Sequence, residues 1–195
     1  MTTAGIFVFE GADELDVVGP FRVFAAAGMD VNLVAERGAQ IRMGNGLTIQ
    51  PTVTFDSCPP LDILLVPGGS SDNSTAGRRV EQKNETALAF VRARAAEAQV
   101  TASVCTGAFI AAEAGLLAGR RANTHWAFRN ELQELMRERG EAFELVPERV
   151  VWDGDLVSAG GVTSGIDLAL SVVERIDGAD ARKYVEAALE RETPP

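Results

Sequence analysis

Long apolar runs, histidine and cysteine are scarce in this chain of 195 residues, and each shortage argues against a class of function. No apolar stretch approaches the roughly 18 residues that read as a membrane-spanning helix, and Thr2 and Thr3 lead directly into an apolar strand pattern without the basic segment of a secretory leader. No export or membrane signal is therefore read. Two cysteines, Cys58 and Cys105, are too few for a disulfide scaffold and suit a reducing compartment, so a cytoplasmic location is expected. The single histidine, His125, has no second histidine or cysteine cluster to give metal-ligand spacing, so no metal site is expected. Basic residues are outnumbered 28 to 18, and the net charge of -10 repels phosphate backbones and anionic lipid surfaces. Neither nucleic acid nor a membrane is expected as a partner.

What is present is an ordinary globular composition, 46% hydrophobic and 24% charged, at a length that predicts one domain over residues 1–195. Short β-branched runs alternate with longer helical patterns, which predicts a mainly parallel sheet covered by helices on both faces. The strands are expected at Ile6–Phe9, Val31–Val34, Leu61–Val66 and Val100–Val104, with a pair at Val150–Trp152 and Leu156–Ser158. Helices are expected at Val17–Ala27, Glu85–Ala98, Gly107–Leu117, Phe128–Arg139, Ile166–Arg175 and Ala179–Arg191. Asn45 and Gly46 supply the positive φ of a tight hairpin turn between Ile41–Met43 and Leu47–Ile49. Pro67-Gly68-Gly69 ends the third strand and leads into a loop of small polar residues.

Cys105 stands directly after one predicted strand and just before a helix, with Gly107 giving room for a tight turn. At such a strand-to-helix turn a side chain sits at the carboxyl edge of the sheet, where open α/β folds bind ligands. The helix start would favour thiolate over thiol, making Cys105 the more oxidation-prone of the two cysteines. The alternative is a structural core cysteine, a common fate for free Cys. Glycines at 68 and 69 let main-chain N–H groups approach a developing negative charge, although a plain turn reads the same way. Glu14 and Asp16 both lie just after the first strand, where either could exchange a proton with the thiol or be a helix-starting acid. His125 is read as a pocket-lining residue ahead of an acid–base partner. Trp126 and Trp152 either line a site or fill the core, and buried area favours the second.

Five stretches then stand in register: Leu15-Asp16-Val17-Val18-Gly19-Pro20, Pro67-Gly68-Gly69, Ser103-Val104-Cys105-Thr106-Gly107, Thr124-His125-Trp126 and Gly160-Gly161-Val162-Thr163-Ser164-Gly165-Ile166-Asp167. Together they resemble the ThiJ/PfpI superfamily, nearest to its isocyanide (isonitrile) hydratases. The resemblance implies a flavodoxin-like three-layer α/β sandwich with a nucleophile elbow, a homodimer, a small-molecule substrate and no cofactor. It implies Cys105 as nucleophile, Asp16 as the carboxylate beside it, Thr106 as an adjacent hydroxyl and N–H, and Gly69 as a further N–H donor. Glu14 and His125 remain possible pocket residues. Protease-like members carry a histidine directly after the cysteine, where this chain has Thr106. AraC-type regulators continue into a helix-turn-helix for which residues up to Pro195 leave no room, so DNA binding is not expected. The implied activity is hydration of isocyanides to N-substituted formamides through a thioimidate. The alternatives are a non-enzymatic small-molecule or oxidation sensor, and a glyoxalase- or amidase-like hydrolase using the same cysteine.

Overall fold

Strands that are apolar at every position, not at alternate ones, must be covered on both faces. The chain provides one such strand, Ile63–Val66, and it lies in the middle of a sheet beside Val100–Val104, which is buried at every residue although Thr101 and Ser103 are polar. In the computed structural model, which describes residues 1–69 and 76–191, β1 is Thr3–Phe7, α1 Glu14–Ala26, β2 Asp30–Ala35, β3 Ile41–Arg42, β4 Thr48–Ile49 and β5 Val53–Thr54. Then follow β6 (Ile63–Val66), α2 (Arg78–Glu81), α3 (Glu85–Glu97), β7 (Val100–Val104) and α4 (Gly107–Glu113). The last elements are β8 (Arg120–Ala122), α5 (Arg129–Glu138), β9 (Phe143–Leu145), β10 (Val150–Asp153), β11 (Leu156–Ala159), α6 (Ser164–Asp177) and α7 (Ala179–Ala188). The small-polar loop expected after Gly69 begins at 70–75, outside the described residues.

The main sheet runs β10-β11-β7-β6-β1-β2-β5. Its neighbours are parallel except at the β10–β11 hairpin. β6 and β7 are buried at every residue. Helices α1, α6 and α7 pack together on one face, and α3 and α4 on the other, completing the three-layer, flavodoxin-like sandwich. Ile6, Phe7, Leu64, Leu65, Val104 and Ile110 are among the side chains that fill the main core. A second cluster, with Phe109, Leu117, Leu132 and Met136, closes α4 against α5. The hairpin at 41–49 forms as β3–β4, antiparallel with Ile41 opposite Ile49.

Chain order reverses beside β1. From it the chain moves outward to β2, then crosses back to β6, β7 and β11 on the other side. Open α/β sheets bind ligands outside the carboxyl ends of the strands at such a point. Three loops meet there, after β1, β6 and β7. The first two are joined by a main-chain hydrogen bond from Asp13 N–H to the Gly68 carbonyl (3.0 Å) and by a bridge between Ala12 and Gly69.

Candidate active site

Strand β7 ends at Val104, α4 begins at Gly107, and Cys105 turns the chain between them with φ of 57°. A non-glycine residue in the left-handed region costs about 1–2 kcal/mol and persists only where its surroundings hold it. Here Cys105 N–H donates to the Ala159 carbonyl (2.9 Å), and the buried Thr124 hydroxyl donates to the Cys105 carbonyl (2.8 Å). Gly161 closes the clamp from β11. A Cβ on it would fall 2.4 Å from Cys105 Cβ and 2.9 Å from Sγ, so only glycine fits. Gly107 is equally constrained, because a Cβ there would meet the Val66 carbonyl at 2.3 Å.

Asp16 is the partner of this turn. It is expected from sequence ahead of the helix, but α1 starts earlier, at Glu14, because Asp13 caps it with Oδ1 accepting from Leu15 N–H (3.0 Å) and Asp16 N–H (3.3 Å). Asp16 thereby enters the first turn facing inward and is 0% exposed. Its Oδ2 accepts from Gly68 N–H at 3.0 Å, while Oδ1 is buried without a well-formed hydrogen-bond partner. The thiol of Cys105 is close enough for weak hydrogen bonding to this carboxyl. Gly68 makes the approach possible, since a Cβ there would fall 2.6 Å from Thr106 N and 2.9 Å from Asp16 Oδ2.

The electrostatics differ from the expected activated thiolate. Burial pushes the Asp16 carboxyl well above the usual carboxylate range, and the charge of Asp13 adds to this against the opposing bonds from Gly68 and Cys105. Burial also pushes the Cys105 thiol up, followed by the charge of Asp16, and the Thr106 N–H opposes them only in part. Cys105 therefore rests as a protonated thiol beside a carboxyl that also favours its proton.

The other candidates separate clearly. Thr106 Oγ1 accepts from Gly69 N–H (3.1 Å) and lies 3.2 Å from the Gly69 carbonyl, to which it can donate. The Gly69 N–H expected to face a substrate is thus already committed to the Thr106 hydroxyl. Glu14 goes elsewhere: it holds the β3–β4 turn through Asn45 N–H (2.7 Å), Asn45 Nδ2 (2.7 Å) and Leu47 N–H (3.4 Å). His125 Nδ1 accepts from Ala127 N–H (3.3 Å) in a short 3₁₀ turn, and burial followed by the charge of Arg129 lowers its pKa. The ring is half-buried, and none of the larger cavities around the described residues is lined by it, although a place in a pocket lining is expected from sequence. Trp126 is 74% exposed and fills no core, whereas Trp152 packs against the core with its indole N–H on Ser171 Oγ (3.2 Å).

Three site residues have no counterpart in the sequence reading. Asp13 acts electrostatically on Asp16, Cys105 and His125 alike. Its signal was the Asp-x-x-Asp spacing of Asp13 and Asp16 ahead of an apolar run, a relative of the helix capping box. Arg78, fully buried, places its guanidinium 3.8 Å over the Phe109 ring and bonds to Glu131 (2.8 Å) and Gln82 (2.7 Å). Charge on Cys105 reaches it electrostatically. Asn123, also buried, anchors the loop leading to His125 by donating its N–H to Ser158 Oγ (2.8 Å). Among the described residues no group of three or more histidine, cysteine or acidic side chains could hold a metal ion, and no helix is long and apolar enough to cross a membrane.

The chain is similar to isonitrile hydratase of Pseudomonas putida, at 38% identity over 192 residues that cover 98% of this chain and 79% of that protein. The crystal structure of a ThiJ/PfpI family protein from Pseudomonas syringae superposes with a TM-score of 0.88 at 31% identity, covering 100% of this chain and 76% of that one. Drosophila melanogaster DJ-1beta shares the fold, with a TM-score of 0.84 at 19% identity over 96% of this chain and 97% of that one. The model of the DJ-1/PfpI family matches residues 2–175, a span that takes in every strand of the main sheet and each of the three loops around Cys105. The chain belongs to the DJ-1/PfpI family.

Proposed function

We propose that the chain hydrates isocyanides to N-substituted formamides, with Cys105 as nucleophile and Asp16 as the group that moves protons. The observation that carries this reading is the buried Asp16 carboxyl, held by Gly68 N–H on one oxygen and set against the Cys105 thiol with the other oxygen lacking a regular partner. The likeness to isonitrile hydratase supports the choice of substrate class.

An isocyanide R–N≡C accepts a nucleophile and a proton at the same terminal carbon, so the resting pair should carry a proton with the sulfur. Both groups favour their protonated forms here. As Sγ attacks, Asp16 gives its own proton to that carbon and takes up the thiol proton in exchange, giving the thioimidate R–N=CH–S–Cys105. Water then adds to the carbon as Asp16 takes one of its protons and hands its own to the imine nitrogen, the C–S bond breaks, and the remaining hydroxyl proton passes to sulfur, leaving R–NH–CHO and the free thiol. Proton transfer by a placed carboxyl typically contributes 10²- to 10⁴-fold. The Thr106 N–H, which already favours negative charge on Cys105, stabilises the developing thiolate. The reading includes a small-molecule substrate handled by a homodimer in the cytoplasm.

Purified protein is tested with cyclohexyl isocyanide, following formamide by mass spectrometry. Multiple turnovers are expected, abolished by Cys105→Ala in a protein whose circular dichroism is unchanged. Full activity in that variant would sink the assignment, and stoichiometric modification without turnover would favour a sensor.

A further inference from the structure

Four larger cavities lie away from Cys105, and the one that adjoins it, of about 240 Å³, opens on the far side of Gly161. Its lining includes Asn123, Trp126, Arg129, Gly160, Gly161 and Ser164. Gly161 belongs both to this cavity and to the wall against Sγ, so one glycine separates the two.

Two arginines face the cavity, with different commitments. Arg149 is taken up by Asp167 (2.5 Å) and Thr163 (3.1 Å). Arg129 makes no ion pair among the described residues, and its one hydrogen bond runs from Nε to Asn123 Oδ1 at 3.1 Å. That acceptor is itself fixed, because Asn123 is 1% exposed and its Nδ2 donates to the Glu148 carbonyl. A guanidinium held at Nε by a buried amide keeps both terminal nitrogens for a planar anion, the geometry that makes arginine the usual carboxylate clamp. Glu148 also lines the cavity, but its exposed carboxylate pairs with neither arginine. In a chain of net charge -10, a preorganised cation without a carboxylate partner, one glycine away from the proposed nucleophile, calls for an anionic ligand.

We propose that Arg129 binds a carboxylate on the substrate, so that the preferred substrates are isocyanides carrying an acid group on a short linker, with Trp126 flanking the linker. This rests on the reading of Cys105 as the reacting group. The reacting carbon would sit at Sγ while the acid reaches past Gly161 to Arg129.

Two measurements separate this proposal from the hydration reading. The first compares kcat/KM for isocyanoacetate and cyclohexyl isocyanide in the wild type, Arg129→Met and Arg129→Lys. The preference for the acid is expected to fall at least tenfold in the Met variant, chiefly through KM, and to recover in part with Lys, which keeps the charge. An unchanged preference overturns the proposal and leaves hydration standing. The second needs no turnover: N-formylglycine and the neutral N-methylformamide are compared as protectants of Cys105 against iodoacetamide, mapped by mass spectrometry. Protection by the acid alone, lost in Arg129→Met, supports the carboxylate site even where neither isocyanide is hydrated. Equal protection by both compounds, or protection that survives in Arg129→Met, overturns it.

Discussion

Glu14 and Asp16 share one helical turn, one side-chain chemistry and one charge, and the fold sends them to opposite environments. Glu14 points outward, and burial, which would raise its pKa, is outweighed by hydrogen bonds from Asn45 and Leu47 that lower it. Asp16 points into the meeting of three strand ends, where burial dominates and holds its carboxyl up. Two positions along a helix amount to about 200° of rotation, enough to turn one side chain to solvent and the other inward. Desolvation favours the neutral acid, whereas hydrogen bonds to the charged form favour the anion. One carboxyl is therefore suited to moving protons and the other to pinning a turn.

The largest effect that separates them is catalytic. Asp16→Asn keeps an acceptor for Gly68 N–H but cannot carry a proton, so turnover of an isocyanide should fall by about 10²- to 10⁴-fold. Reactivity of the thiol should move the other way. Once ionised, the charge of Asp16 is among the causes that raise Cys105, so at a pH high enough to ionise the wild-type carboxyl the Asn variant should have the lower thiol pKa and iodoacetamide should modify its Cys105 faster. Slower turnover with faster alkylation is the signature of a proton carrier. A parallel fall in both rates would mean that Asp16 only supports the shape of the site. Glu14→Gln should change neither rate sharply, and a comparable loss of turnover there would break the contrast.

The contrast was only half legible in the sequence. Strand β7 was readable to the residue, because five consecutive buried positions end at a cysteine and a glycine, and the Asn45-Gly46 turn announced the β3–β4 hairpin. The first strand ends at Phe7, not Phe9: Val8 and Phe9 stay buried while the chain leaves the sheet toward Asp13, and apolar content cannot distinguish the two situations. Strands β5, β8 and β9 have two or three residues each, too few to show a period. Which of Glu14 and Asp16 faces Cys105 depended on where α1 begins, which Asp13 decides. The commitment of Gly69 N–H to Thr106, the burial of Arg78 and the orientation of Arg129 by Asn123 are contacts 6 to 53 residues apart, and no local pattern announces them.

Stability gives a second and smaller effect. A carboxyl whose pKa is raised by folding stabilises the fold fully below its unfolded value, near 3.9, and loses that contribution as the pH rises through the folded value. At neutral pH the buried Asp16 therefore weighs against folding. Asp16→Asn, neutral and of the same shape, should be more stable than the wild type at pH 7 by about 1 kcal/mol, the scale of a typical single stabilising substitution. The advantage should vanish as the pH falls and the wild-type carboxyl takes up its proton. Urea denaturation at several pH values reads this directly. A variant less stable at every pH would show that Asp16 is satisfied in the fold and not held there at a cost.

Glu14 should show the opposite slope at the smallest amplitude. Its folded pKa is depressed, so its contribution is present above the unfolded value, near 4.3, and is lost as the pH falls through the folded one. The carboxylate is largely exposed, and water screens much of what its bonds to Asn45 and Leu47 supply, so Glu14→Gln should cost about 0.5 kcal/mol at pH 7. That cost should shrink toward zero in acid, where the wild-type group is protonated as well. The local readout is hydrogen exchange at Asn45 and Leu47, whose amides donate to the carboxylate and should lose protection in the variant while amides of β6 and β7 keep theirs. Loss of protection across the sheet would mean that the hairpin and the carboxyl edge form one cooperative unit, and the division of labour between the two acids would then be one of chemistry alone.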